Sequence, residues 1–261
     1  MGEDVKIYVS VDFEGGACVV GQPEMTLTAS KQYEFARSVM TEEANAAARG
    51  AFDGGASYVV VDDAHGSGLN LLYDRLDERV EVLAGVPRPR RFPSLDETFS
   101  GMLLVGYHPM AGVEGGVLSH TYSSRAVQNM WLNGTLIGEI GFDAALAGTL
   151  GVPVLMVSSC EAGAREALDT IDGVLTFSTK RGYSRNCALS KTPAVACRGI
   201  RESAARAVGL RDSITPFVVD PPYELRREFK YESSADRVRP PCRKVGPRTV
   251  SCTSEDLFEI I

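Results

Sequence analysis

Apolar positions along this chain fall into short unbroken runs, separated by longer stretches with a helical repeat. Val5–Val11, Tyr58–Val61, Met102–Gly106 and Val154–Val157 are short, β-rich apolar runs rather than strictly alternating ones. That pattern predicts parallel strands covered on both faces. Val174–Ser178 fits as a fifth. Between the first two runs, Ala36, Met40, Ala44, Ala47 and Ala51 recur at steps of three and four, which predicts an amphipathic helix. Thr28 or Ser30 can cap it, and Gly54-Gly55 ends it. Glu139–Leu150 and Glu161–Ile171 read as two more helices, closed by Gly151 and Gly173. Strand and helix in alternation predict an α/β fold: an open, mostly parallel sheet with helices on both faces, a three-layer α/β/α arrangement.

Two stretches break this rhythm. Met130–Ile137 reads as a hairpin, because Asn133-Gly134 suits a type I′ turn, and it is expected to hang off the sheet within an excursion over about 112–138. Beyond residue 185 come an Ala-rich helix, Pro193–Val208, then candidate strands Pro216–Val219, Glu224–Tyr231 and Arg248–Cys252 among proline-rich loops. Ser254–Ile261 reads as a last helical turn capped by Ser254. The expected organisation is an α/β domain over 1–185 and a smaller α+β domain over 186–261.

Composition narrows the function classes. With 44% hydrophobic and 23% charged residues the chain can bury a large core. The net charge is −7, and no Lys/Arg run is rich enough to track a phosphate backbone, so nucleic acid is not an expected partner. Arg88-Pro-Arg-Arg91 is short, broken by proline, and reads as a solvated loop. No apolar run approaches the ~18 residues that span a bilayer, so no membrane partner is expected. The acidic start, Met1-Gly-Glu-Asp4, does not read as a secretory signal. The six cysteines contain no CxxC pair and no histidine stands near them, so they read as reduced thiols in a cytoplasmic protein rather than zinc ligands.

The chemistry collects where the strands end. Ligands of an open α/β sheet bind outside the carboxyl ends of its strands. The first strand ends in Asp12 and Glu14, which point to the same side of an extended chain. Two like charges there need a cation or a proton to settle them. The second strand ends in Asp62 and Asp63, with His65 just beyond; the third ends in Tyr107 and His108; His120 lies in the following loop; Glu139 opens a helix. Each has an ordinary structural reading, as a turn cap, a dipole-stabilised carboxylate or a hydrogen-bonded loop histidine. Together, Asp12, Glu14, His65, His108 and Glu139 form a mixed carboxylate and imidazole set that suits Zn2+, with Mn2+ or Co2+ as alternatives. Five ligands exceed what one catalytic zinc takes from protein, and two ions sharing a carboxylate fit better.

Ser10-Val-Asp-Phe-Glu-Gly15, Met40-Thr-Glu-Glu-Ala-Asn45, Asp63-Ala-His65, Val105-Gly-Tyr-His108, Gly116-Val-Leu-Ser-His120, Gly138-Glu-Ile-Gly141 and Val152-Pro-Val-Leu-Met156 resemble, in order, the motifs of the dipeptide-operon D-aminopeptidase family of metallopeptidases. The resemblance runs from about residue 5 to about residue 200 and more weakly beyond. It implies a hydrolase with two zinc ions per chain, acting on a small peptide substrate with a free N-terminus. Asp12 would bridge the ions, Glu14 and Glu139 would complete one site, and His65 and His108 the other. His120 would be the catalytic histidine, as acid/base, nucleophile or oxyanion donor. The family also implies a homo-oligomer, a decamer of stacked rings. Lys180, Ser184-Arg185 and Pro193 fit its pattern, and Lys180 reads either as facing the site or as a solvated strand-end lysine. The loop between His108 and His120 looks one residue long, and Ser159-Cys160-Glu161 stands where the family carries Gly-Asp-Asp. Three rival readings are weighed: a dinuclear amidohydrolase or phosphoesterase on another small substrate, a hydrolase using Cys160 as nucleophile with His65 or His108 as its base, and a non-enzymatic binding protein that kept the fold, against which the presence of all six site residues argues.

Overall fold

The β-branched run at the start of the chain forms a strand, β1 (Lys6–Val11), buried along almost its whole length. Val5, Ile7, Val9 and Val11 enter one apolar core and Tyr8 the opposite one. The computed structural model describes residues 4–261; Met1–Glu3, most of the acidic start, lies outside the described residues. β2 (Tyr58–Asp63) and β4 (Gly101–Val105) pair with β1 on either side, both parallel. A short β3 (Glu81–Leu83) extends the sheet beyond β2. β7 (Val154–Cys160) follows β4, then β8 (Leu175–Ser184), both parallel, and the antiparallel β9 (Cys187–Ser190) closes the edge. The order is β3-β2-β1-β4-β7-β8-β9. The chain leaves β1 toward one edge and returns for β4 on its other side. The crevice between β1 and β4 is therefore the point where such sheets bind ligands.

Helices cover both faces, as the alternation predicts. α1 (Tyr33–Asp53) lies against α4 (Pro193–Gly209) on one face. Gly50 and Gly54 permit that contact: a Cβ on Gly50 would stand 2.4 Å from Arg201 O. On the other face α2 (Glu139–Thr149) is buried from Glu139 to Gly148, with α3 (Glu161–Thr170) beside it. A helix apolar all round needs cover on its outer side as well. A second, antiparallel sheet provides it, in the order β11-β12-β10-β5-β6. Its strands are β5 (Val127–Leu132), β6 (Thr135–Leu136), β10 (Tyr223–Phe229), β11 (Arg243–Lys244) and β12 (Thr249–Ser254), with a one-turn α5 (Glu232–Ala235) after β10. Met130, Leu132, Leu225 and Cys252 join the core that holds Ile140 and Phe142.

Several elements differ from the sequence reading. The β5–β6 hairpin does not hang free but pairs with β10, because Met130 and Leu132 need an apolar neighbour. β9 and α4, expected in the smaller unit, lie with the large sheet. Pro216–Val219 is not a strand; it runs over α2, where a Cβ on Gly148 would stand 1.9 Å from Phe217 O. α1 starts after Gln32, and neither Thr28 nor Ser30 is its N-cap, because a 3-10 turn at Leu27–Ala29 precedes it. The C-terminal segment holds only a 3-10 turn, Leu257–Glu259, capped by Asp256 rather than Ser254. The cysteines are not all thiols. Cys242 and Cys252 form a disulfide, because pairing of Arg243 with Ser251 across β11 and β12 brings the two Cα atoms to 4.1 Å. Cys18, Cys160, Cys187 and Cys197 are free. Among the described residues no helix is long and apolar enough to cross a membrane.

Candidate metal centre

The ends of β1 and β2, the start of α2 and the loop through His120 meet around one cavity of about 310 Å³, with His108 at the end of β4 buried against Asp12. Asp12 and Glu14 follow β1, and two glycines let the end of β4 approach them. A Cβ on Gly15 would stand 2.0 Å from Tyr107 O, and one on Gly106 (φ 72°) 2.2 Å from Asp12 O. His65 follows β2 on a loop that Asp63 holds by accepting from Asn70 N, Leu71 N and the Tyr73 hydroxyl. Asp62 is turned away, paired with Arg88 at 2.8 Å and accepting from Tyr8 Oη. The two aspartates therefore fix the loop rather than enter the site.

The five expected ligands come together. His65 Nδ1 lies 2.7 Å from Asp12 Oδ1 and 3.2 Å from Glu14 Oε2. His108 Nε2 lies 3.3 Å from Asp12 Oδ2 and 3.2 Å from Glu139 Oε1. Asp12 thus turns one oxygen to each imidazole. By proximity the ligand atoms fall into Asp12, Glu14, His65 and His108, His120, Glu139, each set within 4.8 Å. This sets Glu14 with His65, and Glu139 with His108, where the family resemblance implies Glu14 with Glu139. His120 stacks on His108 with ring centroids 3.8 Å apart, within reach of the same ion. The backbone fixes which nitrogens face the centre. His108 Nδ1 donates to Pro109 O and His120 Nδ1 to Leu118 O, which leaves Nε2 of each ring as the nitrogen available to the centre.

Charge in the cluster is tightly coupled. Burial, then the like charge of Glu14, pushes Asp12 up to about 6. Burial opposes charge on Glu14 and Glu139, but His65 outweighs it for Glu14, held well below the carboxylate range, and His108 for Glu139, brought down to about 2. Burial likewise opposes charge on His65 and His108. The neighbouring carboxylates win, Glu14 first for His65 and Glu139 first for His108, which rises to about 10. His120 goes the other way, lowered by burial and by the positive charge of His108. Protons on two imidazoles thus offset part of the charge of three carboxylates, and metal ions would supply positive charge in their place. The residues fit such ions on a second count. Glu14 Oε2 and His108 Nε2 are buried yet make no hydrogen bond, which costs free energy unless another partner coordinates them.

Several residues of the site escape the sequence reading. Arg88-Pro-Arg-Arg91 is not a solvated loop. Arg91 lines the cavity, and its Nη2 lies 2.7 Å from Asp143 on α2. Asp143 also accepts from Tyr107 Oη at 2.7 Å and Tyr122 Oη at 3.0 Å, and Tyr122 N donates to Glu139 Oε1. The signal was Asp143 itself, a carboxylate four residues after Glu139 on an otherwise apolar helix face. Lys180 neither faces the cavity nor meets solvent. It is 2% exposed, and Nζ donates to Glu14 O and Gly16 O, each at 2.6 Å, and to Val19 O. Cys160 is fully buried and does not line the cavity, so the Cys160 nucleophile has no access to substrate there.

Comparison with known proteins shows the family. A family model described as D-aminopeptidase, peptidase M55, matches residues 5–261. The chain belongs to the D-aminopeptidase family. A relative in this family, the D-aminopeptidase of Bacillus subtilis (strain 168), is 34% identical over 98% of this chain and 93% of its own length. A solved structure, the Zn-dependent D-aminopeptidase DppA from Bacillus subtilis, described as a self-compartmentalizing protease, superposes with a TM-score of 0.91 at 32% identity, covering 98% of this chain and 93% of that one. The D-aminopeptidase family thus accounts for nearly the whole chain, including the C-terminal part where the motif resemblance is weak.

Proposed function

We propose that this chain is a zinc-dependent D-aminopeptidase that releases the first residue of short peptides and holds two zinc ions. The observation that carries the reading is the meeting of Asp12, Glu14, His65, His108 and Glu139, from four separate elements, with buried donor atoms left unbonded. Asp12 is assigned as the bridging carboxylate because its two oxygens face different histidines. Glu14 and His65 would complete one side, Glu139 and His108 the other. Bound zinc would polarise the scissile carbonyl and lower the pKa of water; Mn2+ or Co2+ would suit the same donors.

The chain's own groups supply the rest. His120 is half-buried, held neutral by burial and His108, and has Nδ1 tied to Leu118 O. Its bare Nε2 is the base that takes a proton from the attacking water and returns it to the leaving amine. Preference for a D-residue is proposed on the D-aminopeptidase activity named for the relatives. So is a ring-stacked decamer, on the self-compartmentalizing description of DppA; light scattering of the purified protein tests it. Four free thiols support a cytoplasmic setting, and the Cys242–Cys252 bridge weighs against it.

The reading is tested by a panel of D- and L-aminoacyl amides with and without a chelator. Hydrolysis of D-substrates that stops on complete chelation and returns with zinc is the expected result. Activity that survives chelation, or a strict L-preference, would overturn it.

A further inference from the structure

A second recess of about 420 Å³ opens beside the metal centre, and the two cavities share Thr26 and Ser124 as walls. Their linings differ. The metal centre is lined by Asp12, Glu14, Glu139, His65, His120 and Arg91, whereas the recess is lined by Arg125, Arg185 and Lys230, with Glu24 its one acid. In a protein of net charge −7, three cations in one recess concentrate positive potential beside the metal centre. Arg125 and Arg185 are exposed, and among the described residues neither guanidinium has a hydrogen-bond or ion-pair partner. Lys230 donates to Ser124 O at 2.7 Å, which ties it to the shared wall and leaves two further donors.

The recess is also fixed to the catalytic loop. Leu118 N donates to Arg185 O at 2.8 Å, two residues before His120, and Asn186 Nδ2 donates to Val20 O. Lys230 N donates to Ala126 O, beside Arg125. The backbone that carries Arg185 and Lys230 is therefore tied to the loops around His120 and Ser124.

Building on the aminopeptidase reading, we propose that Arg125, Arg185 and Lys230 bind the C-terminal carboxylate of a short peptide whose amino end lies at the metal centre. A dipeptide or tripeptide carries its carboxylate a few residue lengths from its amino end, and the cationic recess opens beside the cavity where the scissile bond would lie. Guanidinium groups suit a carboxylate because their donors form a planar fork. The arrangement makes the enzyme select short peptides with a free carboxyl end and disfavour amides and long chains.

The test compares D-alanyl-glycine with D-alanyl-glycine amide on the zinc-loaded enzyme, as a ratio of kcat/KM values. The wild type should favour the free acid by roughly ten- to a hundredfold, the range of a charge-assisted contact. Added salt should shrink the ratio, because the cations are exposed. In Arg125→Gln/Arg185→Gln the ratio should fall toward one, mostly through KM, and Arg185→Glu should reverse it, with circular dichroism confirming the fold. A wild-type ratio near one, or a ratio unmoved by these variants, would overturn the carboxylate site while leaving the peptidase standing. Hydrolysis of neither substrate, or turnover of p-nitrophenyl phosphate in their place, would overturn the peptidase reading and this site with it.

Discussion

Asp143→Ala tests how the wall of the metal centre is held. Asp143 is fully buried and accepts from Arg91 Nη2 at 2.7 Å, Tyr107 Oη at 2.7 Å and Tyr122 Oη at 3.0 Å. Removing the carboxylate leaves the Arg91 charge, only 18% exposed, without its partner. Breaking a buried pair in this way costs ~3–5 kcal/mol. Tyr107 keeps Ser10 as an alternative partner at 2.8 Å, so its hydroxyl adds little. Tyr122 has no such alternative among the described residues, which places the total near the upper end of that range. For a chain of this size each kcal/mol lowers Tm by roughly 2–4 °C, so a fall of about 10–20 °C is expected. Urea unfolding at fixed zinc concentration measures it, since bound ions stabilise the native state. The companion Arg91→Met/Asp143→Leu should lose less than Asp143→Ala, because neither charge then remains buried alone. Asp143→Ala within about 1 kcal/mol of wild type would refute the reasoning, being under the range for a broken buried pair. Full additivity in a double-mutant cycle would do the same.

Three further outcomes follow from other buried groups. Burial pushes the Glu43 carboxyl from 4.5 up to about 7. Between those values the folded state binds more protons than the unfolded one, so this group's contribution to stability falls as pH rises from about 4.5 to 7. Glu43→Gln should remove that slope, and urea midpoints at pH 5 and 8 that change alike in both proteins would contradict it. Lys180→Met should destabilise by about 2–4 kcal/mol, since three backbone carbonyls lose their shared donor and only part of the cost is offset by no longer burying an ammonium. Zinc affinity should fall with it because Glu14 rides on the same turn, and unchanged affinity in a metal-competition titration would count against that link. Reducing the Cys242–Cys252 disulfide, or Cys242→Ala, should cost about 2–3 kcal/mol from loop closure over a short segment; an unchanged Tm under reductant would show the bridge to be absent in solution.

The parts of this protein legible in its sequence are those set by local pattern. The β1 run and its polar ending, Asp12 and Glu14, appear together because a buried strand must stop where the chain carries charge. Glu139 was legible because a turn and Gly138 precede it. The rest depends on contacts between distant segments. Arg91 looks like one basic residue among several until α2 brings Asp143 against it. Cys242 and Cys252 look like a spacing until β11 and β12 pair. Lys180 has three backbone partners that no side-chain pattern reveals. β3 is three residues long and mostly exposed, too short for a periodic signal.

The measurement closest to the central claim is the anomalous scattering of zinc-soaked crystals at the zinc edge. Two peaks per chain are expected, one between Glu14 and His65 and one between His108 and Glu139, with Asp12 touching both and Asp12→Asn losing at least one. A single peak, or peaks away from these five side chains, would contradict the account.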